Sequence, residues 1–143
     1  MPYVDANQLP QLPVDFMNAD HELEFRLLEA LGAALAARRA GGGFDPVLER
    51  LALLAVHTRE HFLREEAAMR EAQYPGLAPH KAEHDRVLAE LDAQARRFRA
   101  GGEASALERY LLEALPGWWM SHIRFYDGSA ARHLVERAPT SAP

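Results

Sequence analysis

Apolar residues recur along this chain at intervals of three and four, the spacing that lays one stripe along an α-helix. Four such stretches can be traced. In the first, about 19–40, His21, Phe25, Leu28, Leu31 and Leu35 share a face. In the second, about 45–72, Leu51, Leu54, Thr58, His61, Glu65 and Ala68 do so. The third, about 78–99, aligns His80, His84, Val87, Leu91 and Phe98. The fourth, about 104–127 or longer, aligns Leu111, Leu115, Trp118, His122 and Phe125. No stretch reads as a strand.

Turn residues mark the boundaries. Asp15 or Asn18 is expected to cap the first helix, and Gly41, Gly42 and Gly43 to end it. Asp45 suits an N-cap and Pro46 the first helical position of the second helix. Pro75 and Gly76 make the next turn, and Pro79 suits the start of the third helix. Gly101 and Gly102 separate the third from the fourth. Pro116 is expected to kink the fourth helix or start it afresh, because it lacks an N–H and crowds the preceding turn. Gly128 is expected to end it, with a further short turn through 130–135. Pro2, Pro10 and Pro13 predict an extended N-terminal arm over 1–17, and 136–143 reads as a frayed tail. The expectation is an all-α fold. It would be an up-down-up-down antiparallel four-helix bundle over 18–135, within a single domain spanning 1–143.

Composition narrows the function. With 143 residues the chain can bury a real core. The formal net charge of −5 supplies no basic stripe, so nucleic acid is not expected as a partner. There is no cysteine, which removes disulfides and thiolate chemistry. No signal peptide and no apolar run of about 20 residues is evident, so a soluble, cytoplasmic monomer is expected, with no membrane partner.

The histidines change the picture most. Of seven, five lie on inner stripes: His21, His61, His80, His84 and His122. His61 and Glu65 are four apart, as are His80 and His84, so each pair shares a helix face. Any one of these histidines alone reads more simply as a satisfied core residue. Five together, with Glu65 and Asp127 beside them, would be costly in a dry core without a cation. Five imidazoles and two carboxylates exceed what one tetrahedral zinc can use. Two iron ions bridged by both carboxylates and an oxygen atom would use every donor. One spacing is awkward: His122 and Asp127, five apart, point about 140° apart on an ideal helix. Either they reach the metals from opposite flanks or the helix widens locally.

The order His21, then HFLREE, HKAEH and WWMSHIRFYD, resembles the hemerythrin family from about 14 to 135. The resemblance implies one iron on His80, His84 and His122, and the other on His21 and His61. Glu65 and Asp127 would bridge them, together with an oxo or hydroxo group. The second iron would keep an open position for dioxygen. The expected function is reversible dioxygen binding, as a carrier, storage, delivery or sensing protein rather than an enzyme. A sensor would be expected to carry an output domain, and none is read here, which favours a stand-alone carrier or scavenger. A di-iron enzyme or scavenger acting on peroxide or nitric oxide is the alternative. A remote one is a zinc hydrolase, because HKAEH also reads H-x-x-E-H, with Glu83 as base.

Two positions depart from the family pattern. Trp119 stands three before His122, where an aliphatic residue near the open site is usual. It either shapes the pocket or simply packs outside it. His57 stands where tyrosine is frequent, and either tunes the pocket or lies partly exposed. Glu66 and Glu83 read as surface charges, and His133 as solvated.

Overall fold

The computed structural model describes residues 6–137, and in them the only regular structure is helical. α1 covers Asp15–Arg39, α2 Asp45–Glu71 and α3 Leu77–Arg99. A fourth continuous helix, α4, runs through 104–137. The connections, 40–44, 72–76 and 100–103, are too short for anything but antiparallel neighbours. α1 packs on α2 and α2 on α3, while α4 begins against α1 and α3. The chain thus forms the expected four-helix bundle. Leu31, Leu35, Leu51, Leu54, Leu91 and Leu111 fill its interior.

α1 starts earlier than the pattern predicts. Val14 holds the N-cap position in extended conformation without a side-chain cap. Asn18, an expected cap, instead closes a pair of bonds on Leu12: its Oδ1 accepts from the Leu12 N–H at 2.9 Å and its amide donates to the Leu12 carbonyl at 2.8 Å. That clasp lays the incoming chain along the helix. The arm is therefore shorter than 1–17 and not wholly extended. Ala6–Gln8 make a 3₁₀ turn and Leu9 reaches the core. Residues 1–5 of the expected arm lie outside the described residues. Gly41 and Gly101, at φ of +97° and +95°, close α1 and α3 in a conformation that residues with a Cβ avoid.

α4 departs most from expectation. Its helical bonding stops neither at Pro116 nor at Gly128. A π-turn over Tyr110–Ala114 precedes Pro116, and its wider ring relaxes the crowding that proline imposes on the turn before it. A second π-turn covers Ile123–Asp127. Its i→i+5 bonding brings His122 and Asp127 onto one side, so the local widening is the alternative that holds. The extra residue also resets the stripe: Ile123 is buried, whereas Phe125, expected inside, is 65% exposed. The helix continues to Arg137, and 138–143 lie outside the described residues. Among the described residues, no helix is long and apolar enough to cross a membrane.

Leu31→Ala should lower unfolding free energy by about 2–5 kcal/mol in denaturant titration, because it opens a cavity in a fully buried layer. A loss well under 1 kcal/mol would contradict this packing.

Candidate metal centre

All four helices send polar side chains to one level of the core. α1 supplies His21, α2 His61 and Glu65, α3 His80 and His84, and α4 His122 and Asp127. None of the seven is more than 2% exposed. They gather in two lobes. In the first, the Nε2 atoms of His80 and His84 lie 3.1 and 3.2 Å from Nε2 of His122. Asp127 Oδ1 lies 2.9 Å from His80 Nε2 and 3.2 Å from His122 Nε2, and Glu65 Oε1 is 3.3 Å from His84 Nε2. In the second, Asp127 Oδ2 is 3.0 Å from His21 Nε2. Glu65 Oε2 is 3.1 Å from His61 Nε2 and 3.6 Å from His21 Nε2. Each carboxylate therefore sends one oxygen to each lobe.

Hydrogen bonding alone does not account for this crowding. His84 Nδ1 lies 2.8 Å from Glu66 Oε2, so its N–H donates outward and its Nε2 presents a lone pair inward. That lone pair meets the Nε2 of His122, itself beside His80. His61 Nε2 and both Glu65 oxygens have no hydrogen-bond partner among the described residues. Buried acceptors of this kind are normally satisfied, and cations would satisfy them. Ligand atoms of Glu65, His80, His84, His122 and Asp127 all lie within 4.8 Å of one another, as do those of His21, His61 and Glu65. The residues present therefore fit two metal ions.

The charges agree. Burial is the largest influence on His61 and disfavours its charged form. The charge of Glu65 and the carboxylate of Glu24 outweigh burial and hold the imidazole well above its ordinary range. Burial likewise opposes protonation of His21, but Asp127 and Glu65 raise it. Burial pushes Glu65 upward, and His61, His21 and His84 reverse this, leaving it well below the carboxylate range. Asp127 is also lowered, against burial and the Glu65 charge, by His122, His21 and His80. His122 is lowered because burial prevails over Asp127. The two carboxylates are thus held as anions by the imidazoles around them.

Two further carboxylates support the imidazoles. Glu66, expected on the surface, is buried against His84. The reason is its register: it follows Glu65 directly and reaches the adjoining α3. Glu24 was not singled out from the sequence. Its Oε2 lies 3.2 Å from His57 Nε2 and 3.7 Å from His61 Nδ1, and its Oε1 accepts from the Thr58 hydroxyl. The available signal was its place three residues after His21, on the same side of α1. His57 is buried rather than partly exposed, with Nε2 3.0 Å from the Asp20 carbonyl. Arg64 clasps the Asp20 carboxylate at 2.9 and 2.7 Å.

Trp119 is 2% exposed and lies over the second lobe, 6.0 Å from the His61 ring and 5.9 Å from Phe62 between centres. Trp118 stacks on His122 at 4.5 Å. Glu83 accepts from Arg86 at 2.9 Å and from Trp118 at 3.4 Å, and it is absent from the donor cluster. A base held there by arginine does not serve a zinc on His80 and His84. His133 is not simply solvated: its Nε2 lies 2.9 Å from the Ala72 carbonyl, tying the end of α4 to that of α2.

Comparison with known proteins agrees with this arrangement. Residues 12–132 match the model of the hemerythrin HHE cation-binding domain. The chain is 32% identical over 139 residues to a bacteriohemerythrin of Ralstonia nicotianae, covering 97% of this chain and 94% of that one. It is 29% identical over 131 residues to a bacteriohemerythrin of Aquifex aeolicus, covering 92% and 97%. A crystal structure of wild-type hemerythrin superposes with a TM-score of 0.73 at 24% identity, over 85% of this chain and 88% of that one. The family match encloses all seven donors, and the chain belongs to the hemerythrin family.

Proposed function

We propose that residues 1–143 form one hemerythrin-like domain that would hold two non-haem iron ions, linked by Glu65, Asp127 and an oxo or hydroxo group. The domain would bind dioxygen reversibly. The observation that carries this reading is the division of donors. Each carboxylate spans a lobe of three imidazoles, His80, His84 and His122, and a lobe of two, His21 and His61. Iron bound there would supply electrons to dioxygen and, in the two-imidazole lobe, an open position for it. The side chains do the rest. Glu66 holds His84 by its Nδ1–H, so that Nε2 faces the centre. Glu24 faces the outer nitrogen of His61 in the other lobe. Trp119, backed by Phe25, walls the second lobe, and Phe62, stacked on His84 at 3.8 Å and 5.4 Å from His61, lies against both, so that bulk water and its protons are kept out. A carrier, storage or delivery role follows. The alternative, an enzyme or scavenger of peroxide or nitric oxide, is favoured by one feature: the buried Glu24–His57 pair behind His61.

The direct test is the absorption spectrum in air and under nitrogen. A ligand-to-metal band that bleaches on deoxygenation and returns with air is expected. Steady turnover of peroxide or nitric oxide with a reductant, and no reversible band, would favour the enzyme instead.

Glu65→Ala should lose iron from both lobes and His61→Ala from the second. Full iron retention in both would refute the assignment. Glu66→Leu should weaken metal retention about 10- to 100-fold in chelator competition, since it frees the His84 ring.

The pKa shifts give a pH signature. In the metal-stripped protein His21 and His61 are raised, so their stabilisation is present below about 6.5 and is lost as pH rises through the raised values. Glu65 and Asp127 are lowered, so theirs is present above the ordinary carboxylate range and is lost in acid. Iron needs neutral imidazoles, which reverses the upper limb. The gap in Tm between loaded and stripped protein should therefore widen from about pH 5.5 to about pH 8. A gap that narrows over that range would contradict the scheme.

A further inference from the structure

We propose that Trp119 selects the ligand of the two-imidazole lobe by donating a hydrogen bond from its indole N–H. The ligand class is a small diatomic or triatomic species with an acceptor atom, preferably one that carries negative charge. This inference rests on the di-iron reading above.

Position is the first argument. Trp119 stands three residues before His122 on α4 and is almost wholly enclosed, at 2% exposure. Its ring lies nearly parallel to His61, at 27°, and to Phe62, at 28°. The ring of Phe25 meets it edge-on at 6.4 Å. It therefore roofs the lobe that has fewer imidazoles. Trp118, its neighbour, lies over His122 of the other lobe and spends its own N–H on Glu83.

The second argument is an unmet donor. Several enclosed nitrogen atoms lack a hydrogen-bond partner among the described residues. Nε1 of Trp119 is the one that does not belong to a histidine of the metal cluster. A buried N–H without an acceptor is costly and rarely kept. If the position needed only an apolar wall, a phenyl or aliphatic side chain would fill it without that penalty. The neighbouring walls, Phe25 and Phe62, are of that kind. A ligand entering beside His61 would bring the acceptor that the protein does not supply. The gain grows with negative charge on the ligand, because hydrogen bonds to charged acceptors are the stronger ones. A ligand whose outer atom accepts poorly would gain nothing.

The experiment compares the iron-loaded protein with Trp119→Phe, which keeps an aromatic wall and removes the donor. Azide is the probe, titrated through its ligand-to-metal band, and thermal unfolding is recorded without azide. Iron content should be unchanged, and azide should bind about tenfold more weakly, as for a lost bond to a charged acceptor. The unliganded variant should unfold no earlier than the parent, because it loses an unmet donor and no bond. Trp119→Leu, which also removes the donor, must show the same loss of azide affinity and serves if the phenyl variant fails to load iron. A variant that binds azide as the parent does, yet unfolds earlier, would show that the N–H serves the protein's own packing. That result would overturn this inference alone. A parent protein that takes up no iron would overturn it together with the di-iron reading.

Discussion

Two carboxylates and five imidazoles enclosed in an apolar core are the constraint on which the rest of this structure depends. Glu65 and Asp127 are fully buried, and among the described residues the ion-pair partners beside them are imidazoles. Imidazolium groups or metal ions supply the counter-charge next to them. An isolated buried carboxylate would be prohibitive, so the arrangement persists only if positive charge is held at the same level. The donors come from all four helices, so whatever binds there fastens all four. The leucine layers give the bundle its cohesion, and the polar level fixes how the helices are turned relative to one another. One helix rotated by a single residue would withdraw its donors.

α4 shows how that demand reshapes a helix. A regular α-helix would place His122 and Asp127 on different faces. The π-turn over Ile123–Asp127 brings them together, with Phe125 displaced to solvent. π-turns are uncommon and concentrate at functional sites. Here the irregularity has a physical reason: Asp127 must span both lobes, reaching His80 and His122 with Oδ1 and His21 with Oδ2.

Much of this was legible in the sequence because it depends on periodicity and residue chemistry. The inner stripes give the helices, the glycine and proline clusters give the turns, and histidines recurring on those stripes give the donors. What was not legible is tertiary. Glu24 and Glu66 look like ordinary helix-surface acids, since nothing local says that a neighbouring helix covers them. His57 is buried for the same reason, its partners Asp20 and Glu24 lying on α1. A constant helical period puts Phe125 inside, and the π-turn over Ile123–Asp127 breaks that period. The early start of α1 followed from Asn18 bonding the arm rather than capping the helix. The spacing of His122 and Asp127 was the one local hint of irregularity.

In the proposed function, seven side chains form a centre for two metal ions, both iron. Elemental analysis of the purified protein after reconstitution with ferrous iron under nitrogen tests it most directly. Two tightly held irons per chain, retained through desalting and lost in Glu65→Ala, are the predicted result. One zinc per chain, or no retained iron in the parent protein, would contradict the account.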